Sequence, residues 1–248
     1  MLSAIVVAAG KSNRFSRHNK QWFRGKIPPV AGKGKVSKVL AKIDSKPAIY
    51  YSLFALNRHP GIDEIIVVAS PSNIKAITGI TRKYKINKVK KIVLGGKERR
   101  DSVLQGLKSL SEDTSHVLIH DGARPLVNNK IISSVIAAAR ISGAAVAGVP
   151  VKPTIKRVSS GLWVKETVDR GGLWEIQTPQ VFLKSIILKA YRKSGGLKVT
   201  DDAMLVERIK VKVKLAAGSY SNIKITTPED LIIAGAILKK IKGRSNFL

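Results

Sequence analysis

Ala4-Ile5-Val6-Val7-Ala8-Ala9-Gly10-Lys11-Ser12-Asn13-Arg14-Phe15 is an unbroken apolar run that ends in a small, glycine-bearing, cationic segment. Residues 4–8 do not alternate polar with apolar, which is the pattern of a strand covered on both faces. The same reading places short strands rich in Val and Ile at 64–69, 91–94, 116–119 and 144–149. Helical spacing between them predicts helices over 48–57, 71–83, 99–109 and 129–142, with Pro47 where an opening helical turn tolerates it. Alternation of this kind predicts an α/β fold, a mainly parallel twisted sheet flanked by helices. Ligands of such sheets bind beyond the carboxyl ends of the strands. Three of those ends carry Gly, Arg and Asp: Gly10 to Arg14, then GGKERRDS at 95–102, then HDGARP at 120–125.

Beyond Val149 the periodicity fades. Ser159-Ser160-Gly161 is a turn signal between two β-prone stretches, so a projecting β-arm is expected over about 150–172. A helix at 183–193, a second opened by Thr200-Asp201-Asp202 and a strand near 211–215 follow. Thr227 as cap and Pro228 at the first helical position announce a last helix. With no internal repeat and no linker, a single domain over 1–248 is expected, carrying a basic insertion at about 15–37.

Composition narrows the chemistry. The 248 residues are 44% hydrophobic, too apolar for intrinsic disorder. Zero Cys excludes disulfides, thiolate metal sites and Cys nucleophiles, and four scattered His make no zinc-binding pattern. No apolar run reaches the roughly 18–20 residues of a membrane span, and the apolar opening lacks the basic flank of a signal peptide. A cytoplasmic protein without membrane partners is expected. Forty-five Lys and Arg against 16 Asp and Glu give a net charge of +29, a field that attracts nucleic acid, anionic membrane or phosphorylated small molecules. Aromatics make up only 5%, and no zinc-finger, helix-turn-helix or RNP signature appears, so specific nucleic-acid binding is not expected. Gly10-Lys11-Ser12 is not a P-loop, because the motif needs Gly where Ile5 stands.

Six segments, in order, resemble one family. They are the A-A-G-x-x-x-R opening; Gly95 to Val103; His120 to Pro125; Thr167-Val168-Asp169-Arg170 with Leu173-Trp174 and Gln177-Thr178-Pro179-Gln180; Thr200-Asp201-Asp202-Ala203; and Asn222 to Leu231. Together they are similar to the 2-C-methyl-D-erythritol 4-phosphate cytidylyltransferase family, over residues 4 to about 236. The resemblance implies a Rossmann-like nucleotidyltransferase fold with a projecting arm, and a homodimer formed through that arm. It implies Mg²⁺-dependent transfer of CMP from CTP to the methylerythritol phosphate with release of pyrophosphate. A sister enzyme acting on ribitol 5-phosphate shares that chemistry and stays open as an alternative.

Residue by residue, Arg14 and Lys38 match the family's catalytic cations. Ala8, Ala9, Gly10, Gly96, Ser102, Asp121 and Lys224 match positions around the nucleotide. Asp121 also matches the acidic position near the metal and the polyol hydroxyls, with Arg124 in the same loop. Thr154 and Arg170 match arm residues that contact the substrate phosphate across the dimer, and Thr178 and Thr200 match pocket positions. Lys20, in Asn19-Lys20-Gln21-Trp22-Phe23, competes with Lys38 for the catalytic role, because the insertion sets 23 residues between Arg14 and Lys38. Six Lys or Arg and no acid make that insertion a candidate basic lid over the triphosphate. Thr200-Asp201 reads equally well as a helix cap.

Overall fold

The computed structural model describes residues 1–10, 12, 15, 37–195 and 199–244. Its strands are β1 (Leu2–Val7), β2 (Lys42–Ile43), β3 (Lys46–Pro47), β4 (Glu64–Ala69), β5 (Val89–Leu94), β6 (His116–Asp121), β7 (Ala144–Pro150), β8 (Ile155–Val158), β9 (Val164–Val168), β10 (Trp174–Leu183) and β11 (Lys214–Ala217). The helices are α1 (Ala48–Arg58), α2 (Ile74–Lys83), α3 (Arg99–Lys108), α4 (Asn129–Ser142), α5 (Lys184–Arg192), α6 (Ala203–Arg208) and α7 (Glu229–Arg244). A seven-stranded sheet runs in the order β11-β7-β10-β6-β1-β4-β5. Strand β10 is antiparallel to β6 and β7, and the other pairings of that sheet are parallel.

The unbroken apolar runs have a direct cause. Along β1, Ala4 and Val6 enter the core formed with α1, α2, α4 and α7, while Ile5 enters the opposite core with α3, α5 and α6. Residues 65, 67 and 69 of β4 likewise face one side and Val68 the other. A strand buried on both faces has no polar face to alternate. At one edge of the sheet, β5 exposes Lys90 and Lys91, and such charges discourage edge-to-edge pairing.

Helix α4 occupies the residues its sequence predicts, because both ends carry their own signals. Asn128 accepts a hydrogen bond from the Ile131 amide at 3.0 Å, and Gly143 takes the left-handed conformation at φ 76°. Helix α2 starts at Ile74 rather than 71, since Asn73 turns inward as its cap residue. Helix α7 starts at Glu229, past Pro228. The Asp230 carboxylate reaches back to accept from the Thr226 and Thr227 amides at 2.7 and 2.8 Å, and the Thr227 hydroxyl, expected to accept as a cap, donates to that carboxylate at 3.4 Å.

Two elements depart from expectation. The β2–β3 hairpin turns through Asp44 and Ser45, both at positive φ, as a two-residue hairpin turn demands. Strand β10 fills the stretch between the arm and the next helix, to which the sequence assigns no element. Gln177, Thr178, Pro179 and Gln180 interrupt its apolar pattern, and the register shifts between Ile176 and Gln180 to admit them. Strands β8 and β9 form the expected arm, exposing Leu162, Trp163 and Val164.

Candidate active site

A cavity of about 320 Å³ opens at the carboxyl ends of β1 and β6. Ala8, Ala9 and Gly10 continue β1 along one wall. Gly96 from the β5–α3 turn and Arg99 and Ser102 from the first turn of α3 supply a second wall, and Asp121 and Lys38 approach from β6 and from the segment before β2. Close packing explains the glycines. A Cβ on Gly95 would lie 2.4 Å from the Ala9 Cβ and 2.7 Å from the Ser102 Oγ, and one on Gly96 would lie 2.3 Å from the Asp101 Cβ. The Ser102 hydroxyl donates to the Glu98 carbonyl at 3.0 Å, which leaves its oxygen as an acceptor. Asn73 ties two walls together: its Nδ2 donates to the Ala8 carbonyl at 2.9 Å and to the Ser37 Oγ at 3.3 Å.

Asp121 is the electrostatic centre. Its Oδ1 accepts from the Arg99 Nε at 3.2 Å and its Oδ2 from the Lys224 Nζ at 2.5 Å. Burial works against its charge, but the Arg99 and Lys224 cations outweigh burial and hold the carboxyl well below the usual carboxylate range. Burial likewise opposes the charge on Arg99, and Asp202 and Asp121 overcome it. A second cavity of about 280 Å³ lies beside the first, lined by Arg124, Glu175, Tyr220 and Asn222 among others. Lys224 lines both.

The polar bulge of β10 holds these loops in place. The Thr178 Oγ1 accepts from the Asp121 amide at 3.1 Å and lies 3.1 Å from the His120 Nδ1. Nε2 of His120 lies 3.2 Å from the Arg124 carbonyl, which can only accept, so Nε2 carries the proton. Gln177 donates to the Ser219 carbonyl at 2.8 Å, and Gln180 donates to the Asp201 Oδ2 at 2.9 Å. Asn222 donates to Gln177 and to the Thr178 carbonyl at 3.1 and 3.0 Å. Three loops at the sheet's carboxyl end are thereby tied to one strand.

Residues 2–240 match the 2-C-methyl-D-erythritol 4-phosphate cytidylyltransferase family. The chain belongs to this family. It is 45% identical over 242 residues to the 2-C-methyl-D-erythritol 4-phosphate cytidylyltransferase of Caldanaerobacter subterraneus subsp. tengcongensis, covering 96% of this chain and 99% of that one. It is 42% identical to the enzyme of that name from Alkaliphilus metalliredigens, covering 97% and 94%. Among solved structures, 4-diphosphocytidyl-2C-methyl-D-erythritol synthase of Anaerococcus prevotii superposes with a TM-score of 0.78 at 32% identity, covering 96% and 98%.

For a cytidylyltransferase of this family, the structure brings Ala8, Ala9, Gly10, Lys38, Gly96, Ser102, Asp121 and Lys224 to one cavity. It sets Arg124 in the second cavity, with Nη1 donating to the Asn222 carbonyl at 2.7 Å. Thr178 lines neither; it is buried and supports Asp121 from behind. Thr154 and Arg170 stand on the exposed arm, where Arg170 donates to the Lys152 carbonyl. Thr200 is exposed, one residue before Asp201, whose Oδ1 accepts from the Met204 amide at 3.1 Å and caps α6. Arg14, Lys20 and the basic insertion with its candidate lid lie outside the described residues.

Sequence reasoning passed over Arg99, Asn73 and Gln177. Arg99 stood inside a quoted motif, but nothing local showed that its partners would be Asp121 and Asp202. Among the described residues no group of three or more His, Asp or Glu could cage a metal. Asp121 and Glu98 are the acidic residues lining the cavity, and Asp121, beside Lys224, would be the one to meet a Mg²⁺ ion bound largely by substrate phosphates.

Proposed function

We propose that the larger cavity takes CTP and the smaller one takes 2-C-methyl-D-erythritol 4-phosphate, and that the protein joins them in isoprenoid precursor synthesis. A phosphate oxygen of the polyol phosphate attacks the α-phosphorus of CTP. A new P–O bond forms as the bond to the bridging oxygen breaks, and pyrophosphate leaves. The observation that supports this most is convergence. Segments from both ends of the chain, 8–10, 96–102, 121 and 224, line one cavity at the sheet's carboxyl edge, and Lys224 faces a second cavity beside it.

Nucleophile and electrophile are both anionic, so the chain's task is charge neutralisation and alignment. Lys38 and Arg14 act on the triphosphate, where a guanidinium offers a planar fork to phosphate oxygens. Lys224 bridges the nucleotide and the incoming phosphate. Ser102 offers an acceptor to the exocyclic amino group of cytosine, and the backbone at Gly96 and at 8–10 closes around the nucleotide. Asp121 orients hydroxyls and is the residue that would hold Mg²⁺, whose bound charge offsets that of the phosphates. Arg124 attracts the polyol phosphate to the second cavity, with Thr200 at its approach and Thr178 keeping Asp121 in place. The chain acts as one domain in the cytoplasm. It pairs as a homodimer through the arm, whose exposed Leu162 and Trp163 suit an interface, so that Thr154 and Arg170 reach the neighbouring subunit's substrate.

The lysine assignment gives a sharp test. Lys38→Ala is expected to lower kcat by about 100-fold or more, with Lys20→Ala near wild type. Collapse of turnover in Lys20→Ala alone reverses the assignment.

A further inference from the structure

Asp202 lies outside the lining of both cavities and its side chain is wholly buried. Its Oδ2 accepts from the Arg99 Nη2 at 2.8 Å and its Oδ1 from the Tyr191 hydroxyl at 2.6 Å. Arg99 in turn donates through Nε to Asp121. A hydrogen-bonded chain therefore runs Tyr191–Asp202–Arg99–Asp121, from the inner face of α5 to the floor of the larger cavity. We propose that Asp202, oriented by Tyr191, is a positioning residue: it anchors Arg99, and through Arg99 it fixes the Asp121 carboxylate for the transfer reaction. This rests on reading the larger cavity as the cytidylyl-transfer site.

Stability alone does not call for this arrangement. A buried ion pair is often matched or bettered by packed apolar groups. Nor does α6 need Asp202 as its cap, because Asp201 already accepts from the Met204 amide. What the pair supplies is direction. The guanidinium is a rigid planar fork, and with Nε on one carboxylate and Nη2 on another it cannot turn. Asp121 is then gripped on both oxygens, by Arg99 and by Lys224. Asp202 also offsets a positive charge on the cavity wall. Without that offset, Arg99 is released toward the phosphates, where it would tighten nucleotide and pyrophosphate binding without aiding the transition state.

The test is kinetic and uses the full chain with CTP and the methylerythritol phosphate. Asp202→Asn is expected to lower kcat by about 10-fold while CTP still binds at full stoichiometry by calorimetry. Its inhibition by pyrophosphate should tighten by about 5-fold, a change that mere loss of folded protein does not produce. Tyr191→Phe should move both quantities the same way by less. In the pair Arg99→Gln with Asp202→Asn the buried Arg99–Asp202 ion pair is gone as a unit while Asp121 keeps Lys224, so melting temperature should match or exceed that of Asp202→Asn. Its pyrophosphate inhibition should return to the wild-type level while kcat stays low. Wild-type turnover in Asp202→Asn or in the pair overturns the proposal. So does a fall in kcat that only tracks a fall in CTP-binding stoichiometry. A wild-type chain inert toward CTP would instead refute the transfer reading, and shows itself before any variant is made.

Discussion

His120 is fully buried between the Thr178 hydroxyl and the Arg124 carbonyl, and burial pushes its imidazole down to about 4 from an ordinary 6.5. Between those values the unfolded chain binds a proton that the folded chain refuses. The stabilisation from neutral His120 is thus complete above pH 6.5 and is lost as pH falls toward 4, by roughly 3 kcal/mol. Denaturant melts across that window should show wild type losing that much more stability than His120→Gln, and parallel curves would contradict it. At this scale the sequence spoke unevenly. Asp121 was visible because a carboxylate just past an apolar strand has few structural excuses. Its grip by Lys224 was not, because 103 positions separate the two residues. His120 anchors the loop through both ring nitrogens.

Strand β10 is where element and site meet. Its bulge turns Gln177, Thr178 and Gln180 toward three loops, and Asn222 locks one of those loops through two buried hydrogen bonds. Asn222→Ala strips the Thr178 carbonyl of its Asn222 donor and leaves Gln177 Oε1 with the Ser219 amide alone, and should cost roughly 1–3 kcal/mol in a denaturant melt. It should also weaken turnover, since Lys224 follows two residues later. A stability loss below roughly 0.5 kcal/mol would show that the lock carries little. Elements whose signals are local, such as α4 with its Asn cap and terminal glycine, were readable from sequence to the residue. Strand β10 was not, because a Pro amid polar residues argues against a central strand until the bulge that houses it is seen. Most strand positions needed only apolar runs, whereas the site needed the long-range ties that those polar residues make.

For the molecule as a whole, the exposed arm makes the proposed homodimer a matter of catalysis as well as assembly. If Thr154 and Arg170 serve the neighbouring subunit, Arg170→Ala and Asp121→Asn chains should each be nearly inactive alone. Mixed and refolded in equal amounts, they should recover about a quarter of wild-type activity, because half the dimers then carry one intact site. No recovery would mean that the arm serves its own chain. On the proposed reading, the carboxyl end of this sheet selects cytidine triphosphate and one polyol phosphate. Pyrophosphate release should be measured with each of the four nucleoside triphosphates, against both 2-C-methyl-D-erythritol 4-phosphate and ribitol 5-phosphate. Release from CTP with the methylerythritol phosphate should exceed every other pairing by about 100-fold. No release from that pairing, or equal release with ribitol 5-phosphate, would contradict it.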